Sequence, residues 1–240
     1  MRIIFSRKGF DSSAGGGPSP IAAGRPVSLP IPAGAASATT YGDLGLGDHA
    51  AKASRGKLGA GDLCHHDPMF LPEGMCVFGQ CGAAQTHLER QGVGTGDVFI
   101  FFGLFADEQT SERHHRIFGY LRVEEVVALS AGIPEEFAAL SHPHALAMHH
   151  SNDCIWRGEG RVAVRASAAL RLTVPGGPPS LWQRPGWLKR GGLSYHDRAD
   201  RWLPGKRLQS VARGQEFVAD IGKRQAPRAW LERVIGEING

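Results

Sequence analysis

Apolar residues gather along this chain in short runs, separated by joints rich in glycine and proline. That pattern predicts strands with a few helices. Residues 2–6 open as a short strand, with Ile3, Ile4 and Phe5 in a row. SLPIP at 28–32 reads as an edge strand, because its prolines lack the N–H that a central strand donates. Residues 75–79 read as a short buried strand. Residues 82–91 follow as a helix with Ala83, Ala84, His87 and Leu88 on one side, stopped by Gly92 and Gly94. After the Gly96-Asp97 turn, residues 98–104 form a continuous apolar run, too short and too rich in Phe for a helix, which predicts a buried strand. Residues 117–124 alternate with period two around Gly119, which allows a bend. A short helix is expected over 134–140, and a second alternating strand over 161–174 with Val162, Val164, Ala166 and Ala168 turned inward. Residues 175–192 read as loop, anchored by Trp182 and Trp187. The last helix places Trp230, Leu231, Val234, Ile235 and Ile238 on one stripe. Residues 33–61 are Ala- and Gly-rich with little pattern, and read as a flexible surface loop with one helical turn. The expectation is one α+β domain over 1–240: a mainly antiparallel bent sheet or small barrel with flanking helices.

Composition narrows this only in part. Of 240 residues, 42% are apolar and 21% charged, which supports a packed core and argues against disorder. The net charge of +4 and a pI near 9.0 lean towards anionic partners. The opening apolar run is far shorter than a signal peptide needs, and no stretch approaches the roughly 18 apolar residues of a membrane span. Cys64, Cys76, Cys81 and Cys154 form no CxxC pair and read as free thiols in a reducing, cytoplasmic setting.

Candidate chemistry lies in the joints. RKGFDSS followed by three glycines places two cations beside Asp11 and two hydroxyls, directly after a strand. Glycines let backbone N–H groups turn towards one anion, so Arg7, Lys8, Ser12, Ser13 and Gly16 form a candidate phosphate grip. The competing reading is a plain turn in which Asp11 caps its own backbone. Gln80 and Gln85 in FGQCGAAQ are candidates for paired hydrogen bonds to a base edge, or they only mark close packing. Histidines cluster at 65–66, 114–115, 142–144 and 149–150, but adjacent residues of a strand face opposite ways, so only one of each pair would serve a metal. No residue is assigned to a metal on this basis. Tyr195-His196 is a candidate acid–base pair. Glu216 reads as part of a solvated face, with a buried carboxylate of raised pKa as the alternative. GxSxG, HExxH and GxGxxG are all missing.

Taken together, IIFSRKGFDSS, GGGPSPI, SLPIP, YGDL, FGQCGAAQTHL, GVGTGDVFIFFG, HRIFGYLRVEE, HPH, LSYH and GQEFV resemble the third nucleotide-modification-associated domain family, from residue 2 to about 218 and least well over 33–57. The resemblance implies a theme, modified nucleotides near DNA base modification, and carries over no catalytic residue. A looser resemblance links Gly96-Asp97, the 98–102 strand and residues 119–125 to PUA-like domains of the EVE and ASCH kind. It implies a small barrel that holds a nucleobase or RNA.

Three readings follow. The first is a nucleic-acid or nucleotide-directed protein of a DNA or RNA modification system, in the company of other modification enzymes, with Asp11, Asp67 and His196 as acid–base candidates if it is an enzyme. In it a base sits beside Gln80, Gln85 and the aromatic strand residues. The second is a non-catalytic reader of modified bases. The third is a metal-dependent hydrolase using the histidines. The cofactor is left open, and no membrane partner is expected.

Overall fold

The computed structural model describes residues 1–34, 37–212 and 216–240. In chain order the elements are β1 (Arg2–Arg7), β2 (Ser19–Ala22), β3 (Arg25–Pro26), α1 (Gly47–Ser54), β4 (Met69–Leu71), β5 (Met75–Gln80) and α2 (Gly82–Arg90). Next come β6 (Val98–Asp107), β7 (Arg113–Arg122), β8 (Glu125–Ala128), α3 (Glu135–Ala139), α4 (Pro143–Leu146) and β9 (Cys154–Val162). The last part holds β10 (Leu181–Gln183), β11 (Trp202–Leu203), β12 (Arg207–Gln209), β13 (Glu216–Asp220) and α5 (Gln225–Asn239).

The fold is α+β. The main sheet runs β13-β1-β6-β7-β9-β5-β4, with β2 and β3 beside β6 and β8 beside β9; β10, β12 and β11 form a small second sheet. Most pairs are antiparallel, but β1 and β2 both run parallel to β6, against its first and second halves. Lys8 N still donates to Phe102 O at 2.8 Å, and then the 9–18 loop leaves the sheet. The sheet is bent, and a bulge falls between Phe101 and Phe102 opposite the Gly119 region. A Cβ on Gly119 would sit 2.6 Å from the Phe70 ring, so the bend needs glycine there. The sheet curls but is not a closed barrel: among the described residues no strand pair joins β13 to β5 or β4.

Both faces of the sheet are covered. One carries Ile3, Phe5, Ile100 and Phe102 against Trp182 and α5, whose Leu231, Val234, Ile235 and Ile238 are buried. Each such side chain contributes about 1.5–3 kcal/mol. The other face packs Ile4, Phe78, Phe99, Phe101 and Trp156 against Leu88 of α2. Because of this double cover, β7 is buried over 114–121 and not on one face in two, as the alternation suggested.

Several local expectations differ from the structure. The strand expected over 161–174 is really the end of β9, followed by irregular chain; Val162 and Val164 lie on the surface. SLPIP is not a strand, and only Pro32 makes a bridge, to Cys64. On α2 the buried residues are Gln85 and Leu88. The 33–61 stretch carries the whole helix α1, and Tyr41 and Ala50 pack with Phe10, Leu29 and Cys64 into a small core of their own. Ala35 and Ala36 of that stretch lie outside the described residues, as do Gly214 and Gln215 of the GQEFV string. No helix of the described residues is long and apolar enough to cross a membrane.

Candidate functional site

The curl of the sheet brings together ends that are far apart in sequence. Glu216 is the first residue of β13 and pairs with Ser6 of β1. Gln80 is the last residue of β5. The Glu216 carboxylate is fully buried, and its Oε1 accepts from Gln80 Nε2 at 2.7 Å, Lys8 Nζ at 3.1 Å and Ser6 Oγ at 3.1 Å. Its Oε2 has no partner among the described residues. Lys8 also lies 4.2 Å over the Phe78 ring. Glu216 is therefore not on a solvated face: antiparallel pairing with β1 turns it inward, where a cation and two neutral donors hold it.

Beside this knot lies a cluster that no single segment supplies. Asp67 Oδ1 accepts from Gly79 N at 2.9 Å and lies 3.4 Å from His142 Nε2, while Oδ2 lies 3.8 Å from His65 Nε2. Asp153 is completely buried; its Oδ2 accepts from His149 N at 2.6 Å, and its Oδ1 lies 3.6 Å from His144 Nδ1. His142 caps α4, with its Nδ1 accepting from His144 N at 3.3 Å. The His144 and His149 rings stack with centroids 4.5 Å apart, and His65 meets both edge-on. Gly79 makes room for them: a Cβ there would fall 2.2 Å from His144 Cδ2 and 2.8 Å from His142 Cε1. The cluster thus needs both the HPH turn and a glycine in β5.

Burial would raise the Asp67 carboxyl, but the His142 ring beside it, then the charges of His65 and Lys8, bring it well below the usual carboxylate range. Burial pushes His65 down and His144 down to about 4, so both rings are neutral near pH 7. Neutral imidazole is the form that accepts protons or binds metals.

A cavity of about 390 Å³ opens onto this cluster. Its walls include Arg7, Lys8, Asp11, Ser13, His65, Asp67, Gln80, Cys81, His144 and His149. Among the described lining residues there is no Phe, Tyr or Trp. The aromatic strand residues expected beside a base are instead inside the two cores.

Of the residues singled out from sequence, Arg7, Lys8, Asp11, Ser13, Asp67 and Gln80 come together here. The others lie elsewhere. Ser12 is exposed beside the loop, and Gly16 faces a separate cavity of about 250 Å³ with His49, Lys52 and Arg113. Gln85 is buried on α2 and donates to Glu89 Oε1 at 3.1 Å. His196 is buried with both ring nitrogens engaged, Nδ1 at 2.8 Å from Ser194 O and Nε2 accepting from Val211 N at 3.3 Å. The 9–18 loop follows the self-capped geometry: Asp11 Oδ1 accepts from Ser13 N, Ser13 Oγ and Ala14 N at 2.7, 2.7 and 2.8 Å. These donors are engaged by the carboxylate itself. Arg7 forks onto the carbonyls of Val211 and Ala212, both at 2.8 Å.

The residues that sequence reasoning did not assign are His65, Cys81, His142, His144, His149, Asp153 and Glu216. The available signal was the recurrence of adjacent histidines in joints. Two of the three adjacent pairs send one member into the cavity wall, His65 but not His66 and His149 but not His150, while neither His114 nor His115 lines it. Among the described residues, two sets of three hold ligand atoms within 4.8 Å of one another: His65, Asp67 and His144, and Cys81, His144 and Asp153. The arrangement is suited to proton transfer or to ligation of a cation, next to a polar hollow.

No curated protein and no solved structure matches the chain, and the PUA-like resemblance is not confirmed. Residues 2–220 match the family described as nucleotide modification associated domain 3. That span covers every strand from β1 to β13 and all of the cavity wall, and leaves only α5 beyond it. The chain belongs to the nucleotide modification associated domain 3 family.

Proposed function

We propose that this protein is an enzyme acting on a nucleotide, or on a base within nucleic acid, in a nucleotide-modification system. The cavity walled by Lys8, Asp67, Gln80 and His144 is its active site. The observation that carries this reading is the make-up of the wall: titratable side chains face the hollow, and no Phe, Tyr or Trp does among the described residues. A passive reader holds bases by stacking them on aromatic rings. A reacting site needs carboxylates and imidazoles in reach of its substrate.

The volume of about 390 Å³ suits one nucleotide unit. A base from a duplex would have to leave its stack to enter. In this reading Arg7 and Lys8 in the cavity wall supply the positive charge that draws a phosphate. Gln80 retains one amide N–H and one lone pair beyond its bonds to Glu216 and Cys81, enough to pair with a base edge. Asp67 and the imidazoles of His65 and His144 carry the chemistry.

The test is mass spectrometry of nucleosides digested from DNA and from tRNA, in cells carrying the wild-type gene, the Asp67→Asn variant or no gene. A nucleoside that depends on the wild-type gene and is lost with Asp67→Asn supports the enzyme. Spectra that do not change, in a host containing modified bases, with nucleotide binding retained, contradict it and favour the reader.

A further inference from the structure

Four contacts in the histidine cluster share a spacing that hydrogen bonds do not have. His142 Nε2 to Asp67 Oδ1 is 3.4 Å, His144 Nδ1 to Asp153 Oδ1 3.6 Å, His149 Nδ1 to Asp153 Oδ2 3.7 Å and His65 Nε2 to Asp67 Oδ2 3.8 Å. An N–H···O bond spans about 2.7–3.2 Å. Donor atoms on one tetrahedral ion, with bonds of about 2.0–2.2 Å, stand about 3.4 Å from one another. Of the four, the His65–Asp67 contact joins two atoms that can share one ion, and the other three set supporting groups around them. Among the described residues, His142 Nε2, His144 Nδ1 and Asp153 Oδ1 are buried without a hydrogen-bond partner, in side chains almost wholly removed from solvent. Unpaired polar atoms at such depth are unfavourable, and here the carboxylates of Asp67 and Asp153 stand against the two rings as supporting charges.

The geometry points to a binding site for one divalent first-row transition-metal ion, held by His65, Asp67 and His144. Their ligand atoms lie within 4.8 Å of one another, and all three side chains line the cavity. An ion there keeps open positions facing the hollow, as reactive metal sites do and closed structural ones do not. Two imidazoles and one carboxylate suit Zn²⁺, Fe²⁺ or Mn²⁺, and not Ca²⁺ or Mg²⁺, which take oxygen ligands.

The surroundings fit that assignment. Gly79 N and His142 occupy the Oδ1 side of Asp67 and leave Oδ2 towards His65. Asp153 stands against His144 Nδ1 and is itself fixed by the backbone of His149. A carboxylate behind a ligand imidazole sets its tautomer and leaves Nε2 for the ion. His142 is accordingly a positioning residue. The alternative set of Cys81, His144 and Asp153 shares His144, but Asp153 does not line the cavity. The ion concerns the same cavity as the proposed function, yet its binding is measurable without any nucleotide.

The test uses the full chain purified without a histidine tag, stripped with a chelator and titrated with Zn²⁺, with Mn²⁺ and, without air, with Fe²⁺. Metal content is read by plasma mass spectrometry. The wild type is expected to take up about one ion per chain and to melt at higher temperature when loaded. His65→Ala combined with His144→Ala abolishes the uptake, while His49→Ala and Cys81→Ser leave it intact. His142→Gln weakens the affinity by about 10–100-fold, as a displaced supporting residue does. A wild type that takes up none of the three ions overturns the assignment. So does a double variant that binds as the wild type, or a loss of binding in Cys81→Ser. If the double variant does not fold, the wild-type titration still decides. The nucleoside spectra play no part in this readout, so either reading can fail while the other stands.

Discussion

Two groups of histidines in this chain differ in what surrounds them. His115 and His196 have internal partners. His115 Nδ1 accepts from Trp182 Nε1 at 3.0 Å, and both nitrogens of His196 bond to backbone groups of Ser194 and Val211. His65, His142, His144 and His149 crowd round Asp67 and Asp153 at longer distances, with His142 Nε2 and His144 Nδ1 unpartnered. Burial alone does not separate the groups, since His142, His144, His115 and His196 are all at most 9% exposed. The partners do. A histidine whose nitrogens are satisfied inside the fold is a strut, and one whose nitrogens face a carboxylate and a cavity remains available for chemistry.

The largest effect that would sharpen this contrast is expected from Asp67→Asn. It keeps the shape and removes the charge, and nucleotide-directed turnover should fall by about 10²–10⁴-fold. The chain should still unfold cooperatively in urea. Activity near the wild-type level would break the contrast. Gly79→Ala comes next, because its Cβ would lie 2.2 Å from His144 Cδ2. Overpacking of this kind costs about 1–3 kcal/mol, and the displaced rings should disable the site as well. Calorimetry paired with the turnover assay checks both.

On the other side of the contrast, His115→Leu leaves the Trp182 N–H buried without an acceptor, which costs about 1–3 kcal/mol. Turnover per folded molecule should not change, because His115 does not line the cavity. An equal loss of turnover would mean that the strut histidines share in the chemistry.

The smallest effect is on pH dependence. Burial first, then the charges of Arg7 and His114, hold His115 down to about 3, below the ordinary value near 6.5. The unfolded chain therefore takes up a proton before the folded one as pH falls. The stability that comes from keeping the ring neutral is whole above about pH 6.5 and is lost progressively down to about pH 3. His65, His144 and His196 are also depressed by burial and act in the same direction. His115→Gln keeps an acceptor for Trp182 and cannot titrate, so its urea midpoint should fall less steeply between pH 6.5 and 4 than that of the wild type. Identical slopes would show that His115 is not neutral in the fold.

Local pattern carried much of the fold. The apolar runs of β1, β5 and β6 and the stripe of α5 stand where the sequence places them, because each is decided by a few neighbouring residues. The reading failed where burial depends on distant layers. Val162 and Val164 alternate like a buried strand, yet no layer covers them and they lie on the surface. Tyr41 and Ala50 look like loop composition, yet they find Phe10 and Leu29 from a distant segment.

The site was legible in the same partial way. Lys8, Asp67 and Gln80 stood out by type and by position in joints beside strands, where sites are built. Their meeting with His144 and Glu216 depends on the curl of the sheet, which brings Gln80 to Glu216 across 136 positions of sequence. Asp11 shows the opposite case: a loop rich in donors looked like an anion grip, and its own carboxylate takes those donors.

The most direct measurement is imidazole ¹H–¹⁵N NMR of the histidine rings, assigned by single substitution. Spectra are recorded before and after addition of Zn²⁺, and then of the common deoxynucleoside monophosphates in turn. The prediction is that the His65, His142, His144 and His149 signals move while those of His115 and His196 stay in place. Signals that move in both groups alike, or in neither, would contradict the claim that this cluster is the working end of the molecule.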